Sequence, residues 1–308
     1  MKNILTFAMV FLFSICCFGQ TKEVVYNNPK DSSTNYHFAF KPSGEVKGLL
    51  LLLTSFGENL QIASNETNIQ KVAADKGLIT VFASLQHGTQ TFFIDSLSQN
   101  TLDKLIIDLQ KKYNVKDKPF YIGGFSLGGS GAVKYAERAY SSTTLTRPKA
   151  IFAIDPPLDF ERLYSSLEYA LRFSTVEISK KEADYFIKRL QYEFQSTPHY
   201  DKKPFQTISP YSFSDTLQTN IKPLINCPIM LISEPDIIWQ MEERNRSLYD
   251  LNTLDCSLMI SSLRLLGNKN AKLVLTIDKG YRKLTGRKNP HSWSIGDSEQ
   301  IISWLVGQ

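Results

Sequence analysis

From Val46 onward the chain alternates short, wholly apolar runs with longer amphipathic ones. The run Gly48-Leu49-Leu50-Leu51-Leu52-Leu53 has no polar alternation, so it predicts a strand covered on both faces, as in a parallel sheet. Residues 78–83, 118–122, 150–155, 228–232 and 271–277 read the same way. Between them, helical spacing and glycine stops predict helices at 68–77, 98–113, 255–266 and 298–306. In the second of these, Leu102, Leu105, Ile106 and Leu109 mark the buried stripe. Residues 91–95 read as a short extra strand or lip. Ahead of this series, residues 23–26 and 36–40 alternate in polarity and predict an antiparallel hairpin. Strand–helix alternation after a hairpin predicts an α/β fold with a mostly parallel, doubly wound sheet.

One interval breaks the rhythm. Residues 158–226 contain no run that reads as a central strand. They hold two amphipathic helices, about 160–173 and 179–194, then a loop rich in Ser, Thr, Pro and Tyr, and a crossover helix near 214–224. This is far longer than one crossover needs, so it predicts an inserted helical cap. Its aromatic residues (Tyr164, Tyr169, Phe173, Tyr185, Phe186, Tyr192 and Phe194) read mostly as the cap's own core, with some free to line an entrance.

The first residues follow a different rule. Lys2 precedes an almost wholly apolar stretch that ends near Cys17-Phe18-Gly19, where polar sequence begins. The pattern is that of a secretory signal peptide over residues 1–19, too short for a comfortable membrane span. It implies an exported protein, periplasmic or extracellular, with no stable membrane insertion once the leader is removed. Residues 20–308 then form one α/β domain with the cap at about 158–226.

Composition adds little beyond exclusions. Of 308 residues 42% are hydrophobic and 21% charged, as in an ordinary globular protein. The net charge of +5 is spread over short runs, a solvated surface with no nucleic-acid groove. No cysteine–histidine cluster has metal-ligand spacing and no glycine-rich phosphate loop occurs, so neither a metal nor an organic cofactor is expected. Cys227 and Cys256 are left after removal of the leader. They read as two buried thiols or, in an oxidising compartment, a disulfide.

The chemistry concentrates at Tyr121-Ile122-Gly123-Gly124-Phe125-Ser126-Leu127-Gly128-Gly129. Gly124 to Gly128 fits G-x-S-x-G, with a strand before it and a small-residue helix after it. Such a turn lifts a nucleophilic serine above a parallel sheet, and the glycines remove side chains that would collide. The serine needs a base, and the base an acid to fix its tautomer. Of four histidines only His291 lies between the last strand and the last helix; His37 reads as a strand residue, His87 precedes the nucleophile, and His199 lies in the cap. For the acid, Asp236 just past the strand 228–232 is ranked first, with Glu234 and Asp155 as alternatives. Backbone N–H groups of Leu127 and Phe56 are the candidates for an oxyanion hole, with Ser55 next. Arg244 and Arg246 could meet an anionic substrate group, though surface helix charges are the plainer reading.

The order Ser…Asp…His on a parallel sheet resembles the α/β-hydrolase superfamily, over about residues 36–304. Two features depart from its pattern. Thr54-Ser55-Phe56-Gly57 stands where His-Gly often opens the oxyanion loop, and Ser233-Glu234-Pro235-Asp236 lacks the usual glycine before the acid. The resemblance implies an exported serine hydrolase, esterase-like or peptidase-like. It would act on a small-molecule or oligomeric acyl substrate, an ester before an amide or peptide. A binding protein that kept the fold without catalysis is the alternative from another class. The leader reading is checked by mass spectrometry of the protein recovered outside the cytoplasm, which should show a mature chain starting at Gln20.

Overall fold

A computed structural model describes residues 20–33, 35–85 and 90–308. The leader at residues 1–19 and His87 therefore lie outside the described residues. A single eight-stranded sheet runs in the order β1-β2-β4-β3-β5-β6-β7-β8. β1 (Thr21–Tyr26) and β2 (Asn35–Lys41) form the expected antiparallel hairpin, and β2 adds antiparallel to β4 (Leu78–Ala83). β3 (Gly48–Leu53), β5 (Phe120–Phe125), β6 (Ala150–Ile154), β7 (Ile229–Ser233) and β8 (Ala271–Leu275) are parallel to their neighbours.

The leucine run explains itself in this setting. Every residue of β3 is buried, and its side chains divide between two cores. Leu49, Leu51 and Leu53 enter one cluster, Leu50 and Leu52 the other. The first core is closed by α3 (Ser96–Lys112), α4 (Leu127–Ser141) and α9 (Asn252–Leu265). The second is closed by α1 (Leu60–Glu66), α2 (Ile69–Asp75) and α10 (Ser298–Val306). Apolar residues without alternation thus satisfy a sheet covered on both faces.

Two local expectations are corrected. Residues 91–95 form bends, not a strand; Thr91 and the Phe93 carbonyl are tied by side-chain hydrogen bonds to Ser84 and Gln99. No α-helix forms at 214–224. The Asp215 carboxylate accepts the amides of Leu217 and Thr219, a local alternative to helix, and only a 3₁₀ turn follows at Lys222–Asn226. α1 and α8 (Ile237–Arg244) are helices that the apolar pattern did not single out; each starts at a capping side chain, Asn59 and Asp236. Cys227 and Cys256 are free, buried thiols.

Between β6 and β7 the chain inserts α5 (Phe160–Phe173), α6 (Glu177–Phe194) and α7 (Lys203–Ile208). A buried ion pair ties this insertion to the body. Arg162 of α5 donates Nε to Asp255 Oδ1 at 2.5 Å and Nη2 to Oδ2 at 2.8 Å, with Asp255 fully buried in α9. Asp255 Oδ2 also accepts the amides of Leu158 and Asp159, where the insertion begins. Burial, and then the Asp255 charge, push the Asp159 pKa up to about 6. Removing one partner of such a pair leaves an uncompensated buried charge, at about 3–5 kcal/mol. Asp255→Asn should therefore lower the unfolding free energy measured in urea by a corresponding amount, whereas loss of an exposed pair such as Lys181–Glu177 should leave it within about 1 kcal/mol of the parent.

Candidate active site

The chain leaves β5 through a reversal that few residues tolerate. Ser126 has φ 55° and ψ −128°, a sparsely populated region that costs of order 1–3 kcal/mol. Its neighbours hold it there. The Ser126 amide donates to the Ile154 carbonyl at 2.9 Å, and α4 starts at the next residue. A Cβ on Gly124 would press on the main chain of Gly128 and Leu53; one on Gly128 would collide with the carbonyls of Leu53 and Thr54. Both positions therefore need glycine, and the hydroxyl stands at the carboxyl edge of the sheet.

His291 arrives from the long loop after β8. Trp293, fully buried two residues later, donates its indole N–H to the Glu58 carboxylate at 3.0 and 3.2 Å and fixes that end of the loop. The imidazole lies 4.7 Å from the Phe125 ring, centroid to centroid. His291 Nε2 is 2.9 Å from Ser126 Oγ, and Nδ1 is 2.6 Å from Asp155 Oδ2. With the proton on Nδ1, that nitrogen donates to the carboxylate and Nε2 accepts from the serine. This is the arrangement that can take up the serine proton.

The acid at His291 is therefore Asp155, and the first-ranked Asp236 is displaced from that place. Asp155 follows β6 directly, at φ 46°, and its amide donates to the Ile232 carbonyl at 2.7 Å. Its Oδ1 accepts from Ser233 Oγ at 2.5 Å, and Asn252 Nδ2 holds its carbonyl at 2.9 Å. Asp236 instead caps α8 and pairs with Lys288 Nζ at 2.7 Å. Glu234 is buried and accepts from Thr276 Oγ1 and the amides of Lys279 and Gly280. The reason is sheet order. β6 lies directly beside β5, whereas β7 is two strands away, so the end of β6 is nearer the serine. The signal was present as a carboxylate ending an apolar run at Asp155-Pro156-Pro157.

Both oxyanion candidates border the same pocket as Ser126. Leu127 opens α4, so its N–H is among those a helix leaves unpaired. Phe56 lies in the turn from Ser55 to Glu58, closed by Glu58 N–H to Ser55 O at 3.2 Å, with Gly57 at φ 76°. The Ser55 amide donates to Glu58 Oε2 at 3.1 Å, so it is engaged, which favours Phe56. Glu58 thus grips the oxyanion turn and Trp293 together. Burial pushes its pKa up, against those hydrogen bonds and the Arg282 charge.

The pocket holds about 320 Å³. Ser126, His291, Asp155, Phe56 and Leu127 line it together with Leu163, Leu167 and Ala170 of α5 and Phe186 of α6, whose ring lies 5.4 Å from that of Phe56. Tyr169, Phe173, Tyr185 and Tyr192 are exposed, so those four do not form the cap's core as expected; Tyr164 and Phe194 do. Arg246 also borders the pocket and pairs with Glu182 at 3.1 Å, while Arg244 stacks over Trp239. Of the other histidines, His37 is buried in β2, where burial brings its pKa down to about 4, and His199 is exposed beside Glu168. Among the described residues no group of three or more His, Cys, Asp or Glu is placed to hold a metal ion, and no helix is long and apolar enough to cross a membrane.

A family model described as an alpha/beta hydrolase of unknown function (DUF915) matches residues 64–197, a segment that includes Ser126 and Asp155 and stops before His291. The solved structures agree on the architecture. The chain has the α/β-hydrolase fold. An S-formylglutathione hydrolase from Agrobacterium tumefaciens superposes with a TM-score of 0.57 at 13% identity, over 94% of this chain and 96% of that one. The esterase Pf2001 from Pyrococcus furiosus gives 0.53 at 12% identity, over 94% and 93%. The acylaminoacyl peptidase from Pyrococcus horikoshii gives 0.55 at 13% identity over 94% of this chain, which spans only 40% of the peptidase. No curated protein matches the sequence.

Within this α/β-hydrolase fold the Asp155 assignment has a direct check. The His291 Nδ1 proton should give a strongly downfield proton resonance in the parent protein. Asp236→Asn should retain it and Asp155→Asn should lose it; the reverse pattern would restore Asp236.

Proposed function

We propose that the chain is a serine hydrolase that cleaves a carboxylic ester. Ser126 Oγ attacks the acyl carbonyl as His291 Nε2 takes its proton. Asp155 keeps the imidazole in the Nδ1–H tautomer and stabilises its cation. The N–H groups of Leu127 and Phe56 receive the oxyanion. His291 then protonates the leaving alcohol, and water, activated by the same imidazole, releases the acid from the acyl-enzyme. The observation that carries this reading is the unbroken chain Ser126–His291–Asp155 at 2.9 and 2.6 Å.

An ester is preferred to an amide because the chain aligns along nearly its whole length with hydrolases named as esterases, and with less than half of the peptidase. The apolar wall of Leu163, Leu167, Ala170 and Phe186 suits an acyl or aryl group of modest size. Export to the periplasm or the exterior belongs to the same proposal and rests on the pattern of residues 1–19. Catalysis by the residues of this chain needs no metal or organic cofactor.

Ser126→Ala should abolish both hydrolysis of short 4-nitrophenyl esters and labelling by a fluorophosphonate. Asp155→Asn should keep the fold and lower kcat by about 10⁴. A parent protein that neither turns over the esters nor takes the label would leave the non-catalytic alternative standing.

A further inference from the structure

The charged groups around the pocket are almost all engaged. Asp155 holds His291 and Ser233. Glu182 pairs with Arg246, Glu234 accepts the Lys279 and Gly280 amides, and Asp250 accepts from Ser166 and Ser247. Arg282 differs. It borders the same pocket, and among the described residues its guanidinium has neither a hydrogen-bond nor an ion-pair partner. Its contact is with the face of Phe125, 5.9 Å from Cζ to the ring centroid, the ring that also packs on His291.

The guanidinium is carried on a loop fixed from both sides. Before it, the buried Glu234 carboxylate binds the amides of Lys279 and Gly280. After it, the buried Glu66 carboxylate accepts the Lys283 amide at 2.7 Å and the Leu284 amide at 3.4 Å. The Arg282 amide itself donates to the Arg287 carbonyl at 2.8 Å. A planar fork of five N–H donors held on a pinned loop, within cation–π range of an aromatic ring, is suited to bidentate capture of a carboxylate. Glu58, an acid on which the Arg282 charge acts, already accepts from Trp293 and Ser55.

The side of the pocket matters. The imidazole protonates the departing oxygen, so the space beside His291 receives the leaving group. Arg282 shares the Phe125 ring with His291, whereas the apolar lining comes from α5 and α6. We propose that Arg282 binds a carboxylate on the leaving-group half of the substrate, so that the enzyme selects esters whose alcohol or phenol portion is anionic. The proposal rests on the serine-hydrolase reading above and names the substrate class of that same site.

Paired esters test it. 4-Acetoxybenzoate carries the carboxylate on its leaving phenol; methyl 4-acetoxybenzoate is its neutral counterpart. Arg282→Gln should lower the ratio of kcat/KM for the anionic over the neutral ester by about thirtyfold, chiefly through KM. Arg282→Lys, which keeps the charge and loses the fork, should fall between. An unchanged ratio, or an equal loss on both esters, would overturn the proposal. Binding of 4-hydroxybenzoate by calorimetry gives a readout that does not need Ser126 to react: the parent should bind it, and Arg282→Gln should weaken binding by a similar factor. Equal binding by both proteins would again overturn it. Failure of fluorophosphonate labelling with 4-hydroxybenzoate binding intact would count against the serine reading alone.

Discussion

A serine hydroxyl stands at the edge of this sheet only because the chain reverses from β5 into α4 within one residue. That reversal sets much else. It places Ser126 in a strained conformation, which persists because the Ile154 carbonyl and the first turn of α4 hold it from both sides. It also brings the start of α4 against the end of β3, so closely that Gly128 has no room for a side chain. The same approach sets the exit of β3, Thr54 to Phe56, beside the serine. Ser126 and the turn from Ser55 to Glu58 are thus neighbours for one steric reason. A looser turn would lose both the placement of the Ser126 hydroxyl and that of the adjacent amides.

The other residues at the pocket come from loops, and buried carboxylates hold those loops in place. Glu58 ties the turn at Phe56 to the segment that carries His291; Glu234 and Glu66 pin the segment that carries Arg282. Each accepts from groups that could not remain unpaired in the interior, and a charged acceptor forms the stronger hydrogen bond. Residues that look like surplus acids in the sequence are the fasteners of the site. The insertion between β6 and β7 follows the same rule. Asp255 binds both the side chain of Arg162 and the amides where the insertion begins, while Asp250 and Arg246 hold α5 and α6 through Ser166 and Glu182.

The acid at His291 shows where linear order misleads. Asp236 stands after the expected strand and at the expected place in the order Ser…Asp…His. Asp155 also satisfies that order, since it too lies between Ser126 and His291. Which one meets the imidazole depends on β6 being adjacent to β5, and on Ser233 turning inward to bond Asp155. Asp236, at φ 29° after a proline, begins a helix and meets Lys288 instead.

Sequence alone determined the buried strands, because unbroken apolar runs have no stable place except between two covering layers. It determined the sharp turn at Ser126, because glycine spacing reports local sterics. It singled out His291, because one histidine lies between the last strand and the last helix. It did not determine the capping of α1 and α8, the loss of helix at 214–224, or the exposure of the cap tyrosines, which hang on single side-chain hydrogen bonds and on which face of the insertion meets the body. Only the tertiary structure chose Asp155 over Asp236 and put Arg282 beside the Phe125 ring. Those choices depend on distances between strand ends and loops far apart in the chain, and a sequence records neighbours along the backbone, not across the sheet.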